Sequence, residues 1–218
     1  MLRHAERVTR LDWPLDFARG AWLNGRAVVL VANGPGPKLA GQAADTLKEH
    51  QELEALASIG FCGALDPALK PCDILVAHAL SVPRSHSCER LPGISQRPHH
   101  TGTLLSLDHV VSTAAEKSEL RRQTNASAVE MEAAAIAARA QEWQIPFYAL
   151  KVVTDTASES FPLDFNRLRD SSGRFSRTRI LAAALRRPAA SFPALLKLNQ
   201  RCNAASKALG DFIADTRF

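Results

Sequence analysis

The sequence predicts an α/β fold, strands alternating with helices around a central sheet. Two β-branched apolar runs, Arg26-Ala-Val-Val-Leu-Val-Ala32 and Ala149-Leu-Lys-Val-Val-Thr-Asp155, have the composition of buried strands. Between them, Ala128 and Val129 lead directly into a helix of alanines, residues 133–140. Alanine is the strongest helix former, and its small side chain lets a helix lie close against a sheet. Turn signals at Asn24-Gly25, Asn33-Gly-Pro-Gly36 and Lys70-Pro-Cys-Asp73 punctuate the chain.

The elements follow in order. Residues 1–25 mix charges with Trp13, Phe17 and Trp22 and have no clean period. Asn24-Gly25 tolerates positive φ at both positions, so it predicts a hairpin from an edge strand near 15–23 to a buried strand at 26–32. The Gly34-Pro-Gly36 turn opens a helix from Lys38 to His50. A strand is predicted over 56–60, with Gly60-Phe-Cys-Gly63 at its end, and another over 74–77. Residues 80–101, rich in Ser, Pro and His, read as a mobile flap over a pocket. His86, Cys88, His99 and His100 fit no zinc spacing, and no metal is expected. A strand over 102–111 precedes a helix that Ser112 and Glu116 are placed to cap. The alanine helix runs to Gln144, and Pro146 starts the last strand. After the polar stretch 156–162 come two helical pieces split by Pro188. The second carries Leu195, Leu196, Leu198, Ala205, Leu209, Phe212 and Ile213 on its apolar face.

Bulk properties bound the function. With 218 residues and 46% hydrophobic content the chain can bury one core, so a single domain over 1–218 is expected, without repeat or linker. No apolar run approaches bilayer length and Met1–Arg7 has no apolar signal region, so a soluble, cytoplasmic protein is expected. Cys62, Cys72, Cys88 and Cys202 lie far apart and read as free thiols. The net charge of +5 is scattered apart from Arg121-Arg122 and Arg186-Arg187. That argues against nucleic acid as a partner and leaves a weak attraction to anionic membrane surfaces.

Three carboxylates stand where chemistry concentrates. Glu130 and Glu132 flank Met131 at the strand-to-helix junction, and Asp155 ends a buried strand. Each has a plain structural reading: acids in a first helical turn suit the backbone dipole, methionine fills cores, and a strand-end aspartate caps a loop. The amides of the Gly34–Gly36 turn could hold an anion, or the turn could simply be tight.

Val129-Glu-Met-Glu-Ala-Ala-Ala135, followed by a buried strand ending in Thr154-Asp155, resembles the nucleoside phosphorylase/nucleosidase family, whose members cleave the N-glycosidic bond of nucleosides. Asn33–Gly36, Ile59-Gly-Phe-Cys-Gly-Ala-Leu-Asp-Pro67 and Gly102-Thr-Leu-Leu-Ser-Leu-Asp-His109 fit in the same order, so the resemblance covers roughly residues 26–160. Leu185-Arg-Arg-Pro188 and Phe192-Pro-Ala-Leu-Leu196 resemble the hopanoid-associated subgroup. The resemblance implies a three-layer α/β/α sandwich with a mixed central sheet, no cofactor, a purine nucleoside substrate such as a 5′-substituted adenosine or adenosyl-hopane, and a homodimer or higher oligomer. It makes Asp155 the general acid that protonates the leaving base. Glu132 accepts hydrogen bonds from the ribose 2′ and 3′ hydroxyls, Met131 packs on the sugar, and Glu130 either contacts it or caps the helix. Phe61, Cys62, Gly63, Val110, Val111 and Thr154 frame the base, and Gly34 and Gly36 lie on the nucleophile side.

The sequence also departs from the family resembled. Val110 stands where an aromatic is common. The arginine near Ser58 and the serine near Phe61 that bind phosphate in related hexameric phosphorylases are not present, which favours water as nucleophile. Family members open with a strand and turn, bearing the water-activating glutamate of nucleosidases, that precede anything visible here. Glu6 has no strand-turn context to replace it. A recorded start downstream of the true one, a shortened chain or lost hydrolytic power would each account for this. The sheet is then expected to lack a neighbour unless residues 1–20 or a partner chain cover it.

Overall fold

The computed structural model describes residues 2–81, 86–170, 173–186 and 188–217, and places their strands in two sheets. The first is an antiparallel meander of β1 (Glu6–Arg10), β2 (Phe17–Leu23) and β3 (Arg26–Ala32). Asn24 and Gly25, at φ 52° and 75°, make the expected two-residue turn and pair Leu23 with Arg26. β1 had no sequence signal because all five of its residues are exposed and nothing alternates. β3 corrects an expectation: predicted as buried, it is exposed or half-buried throughout. A β-branched run marks a strand but does not say how many layers will cover it.

The second sheet has the order β6-β5-β7-β8-β4-β9. Its strands are β4 (Leu56–Ala64), β5 (Ile74–Ser81), β6 (His86–Ser87), β7 (His100–Ser106), β8 (Ala128–Glu130) and β9 (Phe147–Asp155). Pairing is mixed: β5–β7, β7–β8 and β4–β9 are parallel, whereas β4–β8 and β5–β6 are antiparallel. An antiparallel pairing of β5 with β9 closes β5, β7, β8, β4 and β9 into a ring. All nine residues of β9 are buried. Its alternation divides the core, Ala149 and Val153 packing with Leu75 and Leu104, and Leu150 and Val152 with Phe212 and Ile213.

Helices cover both faces. α1 (Pro37–His50) and α3 (Ala133–Glu142) pack on each other and on one side. α5 (Pro188–Ala214), preceded by α4 (Arg177–Arg186), lies against β9, β4 and β5. α3 buries Ala133, Ala137 and Ala140, spaced so that they share one stripe. Over Gly41 of α1 lies the Arg139 guanidinium, held by Asp45.

Several local expectations shift. β7 stops at Ser106, well before 111, and α3 ends two residues before Gln144, which adopts φ 55°. α2 (Ala114–Thr124) is capped by Thr113, whose hydroxyl accepts from the Glu116 amide, while Glu116 accepts from the Ser112 amide. The capping residue thus sits one position later than read, with Glu116 unchanged as its partner. The flap expectation for 80–101 meets a segment tied to the body: the Cys88 amide donates to His78, the Glu89 amide to Phe147, and Gly93 bridges Arg217. Residues 82–85 of that expectation lie outside the described residues. On α5, Leu196 is exposed and leaves the predicted apolar face.

Because Ala137 is buried between α3 and the sheet, Ala137→Leu should destabilise the fold by about 1–3 kcal/mol through overpacking. Chemical denaturation would measure it, and an unchanged midpoint would show slack in that interface.

Candidate active site

β4 is the middle of three adjacent strands, and Gly63 near its end pairs with Val129 of β8 on one side and with Asp155 of β9 on the other. With strands about 4.8 Å apart, topology alone brings the β8–α3 junction and Asp155 to one end of the sheet.

Asp155 is buried. One carboxylate oxygen lies 2.8 Å from the Thr154 hydroxyl, which is also 3.2 Å from the Cys62 carbonyl. The other lies 2.5 Å from the Lys117 ammonium. A Cβ at Gly63 would stand 2.9 Å from that same oxygen, so close approach of the two strand ends requires glycine there. Lys117 comes from α2, is only 1% exposed, and also donates to the carbonyls of Thr156 (2.8 Å) and Glu159 (3.2 Å). Its head lies 5.6 Å from the Phe161 ring. From the opposite side Glu159 accepts from the Thr156 amide at 2.9 Å and receives Arg201 of α5 on both oxygens at 2.7 Å.

Glu130 and Glu132 diverge. Glu130 is paired with buried Lys151 of β9 at 2.8 Å and accepts from the amides of Glu132 and Ala133 at 3.0 Å. Lys151 also donates to Ser58 of β4 at 2.9 Å. Glu130 therefore caps α3, the second of the two roles left open for it, and its oxygens are engaged by these partners. Burial works against its charge. The Lys151 ammonium and the hydrogen bonds it receives prevail and hold its carboxyl below the ordinary range. Glu132, the N-cap of α3, makes no capping bond and instead accepts from the Gly36 amide at 2.7 Å. Burial pushes its carboxyl above the ordinary range; Lys151 opposes this and the neighbouring Glu130 charge adds to it. Met131 reaches the same turn, its methyl lying 3.7 Å from where a Gly36 Cβ would be.

The residues expected to frame the base lie apart from the cavity beside Asp155. A cavity of about 150 Å³ beside Asp155 is lined by Phe161, Leu163, Phe165, Leu195 and Leu198, with Glu159 and Arg201 at its polar side. None of Phe61, Cys62, Gly63, Val110, Val111 or Thr154 lines it. Phe61 is 43% exposed, the Cys62 thiol is in the core with its pKa raised by burial, and Val111 packs with Leu65 and Leu105. Val110 is held through its backbone, both its N–H and its C=O bonding the Asn166 amide at 2.8 Å. Beside the Gly34–Gly36 turn, a cavity of about 390 Å³ is lined by Pro35, Lys38, Asp108 and Arg169. Gly36, at φ 93°, holds a backbone conformation that side chains disfavour, and a Cβ there would also displace the Arg169 guanidinium 2.6 Å away. Gly34, at φ 109°, shapes the same turn, where an added Cβ would meet Leu39 at 2.8 Å.

Sequence reasoning missed Lys117, Lys151, Phe165, Asn166 and Arg169. Only Lys151 carried a signal, a cation inside an apolar strand, which demands a buried acid. Among the described residues no three His, Cys, Asp or Glu side chains converge to hold a metal.

The Phosphorylase superfamily profile matches residues 78–186. The 5′-methylthioadenosine/S-adenosylhomocysteine nucleosidase of Baumannia cicadellinicola is 30% identical over 165 residues, covering 62% of this chain and 71% of that protein. The enzyme of the same name from Staphylococcus epidermidis is 26% identical over 179 residues, 69% of this chain and 78% of that one. The crystal structure of the S-adenosylhomocysteine nucleosidase from Streptococcus pyogenes, in complex with 5-methylthiotubericidin, shares the fold with a TM-score of 0.72 at 16% identity, covering 98% of this chain and 88% of that one. The chain belongs to the phosphorylase superfamily.

Glu159 supplies a test of how the Asp155 segment is held. Burial disfavours its charge, but the Thr156 amide and Arg201 prevail and push its carboxyl down from 4.5 to about 2. Its stabilisation is therefore complete above about pH 4.5 and lost as pH falls toward 2. Glu159→Gln should be less stable than the wild type at pH 7, and denaturation at pH 7, 4 and 3 should show the gap narrowing. A constant gap would mean that the charge of Glu159 does not hold the loop.

Proposed function

We propose that this chain is a nucleosidase that hydrolyses the N-glycosidic bond of a 5′-substituted adenosine and releases adenine. The observation that carries the reading is the meeting of Asp155 and the β8–α3 junction across Gly63, in a chain whose relatives bear the nucleosidase name. Cleavage leaves a sugar with oxocarbenium character and a base gathering negative charge. Asp155 gives the base its proton as the C–N bond breaks, and water adds to the sugar. Glu132, drawn to the Gly36 turn, accepts from the ribose hydroxyls, with Met131 against the sugar. Glu130 holds the helix on which both ride. Phe161 and Phe165 offer the base its apolar walls.

The finer substrate is an adenosine with an apolar 5′ group, an adenosyl-hopane in the subgroup reading. Exposed Leu181 and Leu185 on α4 and Phe192 and Leu196 on α5, a face suited to lipid or to a second subunit, support it. The same face suits weak association with a membrane surface and a homodimer or higher oligomer. None of the helices, over the described residues, is long and apolar enough to cross a membrane.

A second reading, phosphorolysis, draws on Lys38 and Arg169 in the cavity beside the Gly34–Gly36 turn. Against it, the Gly36 amide is already given to Glu132. Adenine release from 5′-methylthioadenosine in phosphate-free buffer, followed by chromatography, tests the proposal. Release without phosphate supports hydrolysis, and release only with phosphate supports the second reading. No release under either condition rejects both.

Asp155→Asn should abolish adenine release with the fold intact, and full activity would remove it as the acid. Glu132→Gln should cost about 2–4 kcal/mol in kcat/KM if its bond tightens in the transition state. Because ionised Glu132 accepts more strongly than its protonated form, KM should also rise as pH falls through its raised range in the wild type but not in the variant.

A further inference from the structure

We propose that Lys117 is a positioning residue for the general acid, so that helix α2 is part of the catalytic apparatus. The proposal rests on the nucleosidase reading above. An ammonium 1% exposed is costly unless fully partnered. The head of Lys117 spends its three donors on Asp155, Thr156 and Glu159, all on the segment that carries the acid. It does not line the cavity beside Asp155, and it lies 38 residues before Asp155 on α2, none of whose other side chains line that cavity.

The role follows from the proton balance. As the bond between C1′ and the purine N9 breaks, the bonding electron pair stays with the base. The proton on Asp155 passes to a purine nitrogen, leaving a carboxylate. Water gives its hydroxide to C1′ and its remaining proton restores the acid. The carboxylate left by the transfer is the one Lys117 faces, so the ammonium favours the ionised form that follows the transfer over the protonated acid that precedes it. Its bonds to the two carbonyls fix the direction from which Asp155 approaches. The other charged or titratable neighbours do neither. Glu159 and Arg201 line the adjoining cavity and pair with each other, and the Cys62 and Cys202 thiols approach Asp155 from β4 and α5. Among the described residues, Lys117 is the cation bonded to Asp155.

The experiment compares Lys117→Met, Lys117→Gln and Lys117→Arg in two assays, adenine release from 5′-methylthioadenosine and nitrophenolate release from a 4-nitrophenyl riboside, whose leaving group needs no proton. Gln keeps donors without charge and serves if Met prevents folding, judged by circular dichroism. The expected result is a kcat for adenine release lower by about 100-fold in Met and Gln, with KM within about threefold, recovery to within about tenfold in Arg, and nitrophenolate release nearly unchanged. Parallel loss in both assays, or full adenine release from the Met variant, would overturn the proposal. If the aryl riboside is not turned over, the kcat-against-KM split and the Arg recovery decide. Failure of the underlying reading is separable, because it appears as no adenine release from the wild type or as full activity in Asp155→Asn.

Discussion

The ion pair between Glu130 and Lys151 is what the rest of the site depends on. Lys151 sits on β9, Glu130 ends β8, and Ser58 of the intervening β4 completes the ammonium's partners. One buried cation thus ties three adjacent strands side to side. Glu130 also receives the first amides of α3, so the pair fixes the helix to the sheet. Removing either partner would leave a buried charge uncompensated, at a cost of about 3–5 kcal/mol. The acid that could be mistaken for a ligand group is therefore the one that holds the others in place.

Two clusters share this end of the sheet and use burial in opposite ways. At Glu130 burial is outweighed by a direct cation and helix amides, which keep the group ionised. Two residues on, Glu132 has burial without its own cation and keeps a proton more readily. The difference arises from one strand-to-helix junction, where the backbone turns a neighbouring acid away from Lys151 and toward the Gly36 amide. A short row of alanines makes that possible by letting α3 sit close over β4 and β9.

Much of this was legible in the sequence, and the gaps have physical reasons. Runs such as 149–155 and the alanine helix announce themselves because burial on both faces leaves a continuous apolar pattern. Asn24-Gly25 announces its turn because few other pairs tolerate two positive φ values. The meeting of the β8–α3 junction with Asp155 was legible only through the order of motifs, since strand order within a sheet is not written locally. Lys117 could not be found, because on a mostly polar helix a lysine looks like surface and its partner lies 38 residues away. The exposure of β3 was missed because β-branched composition does not distinguish a strand covered on two faces from one covered thinly. The capping residue of α2 slipped by one because Ser112 and Thr113 are both good caps and only geometry chooses between them.

Among the described residues, no strand of one sheet pairs with a strand of the other. The β1–β3 meander adheres through side chains and through α1, which springs from its last strand by way of Gly34 and Gly36. Leu23 and Val28 of the meander pack into the same core as Leu150 and Phe212, so the meander is held by packing rather than by strand pairing. Gly36 stands at the seam, its amide on Glu132. Any loosening of the meander withdraws that amide and leaves the carboxylate a partner short, so the packing of the meander is felt at Glu132.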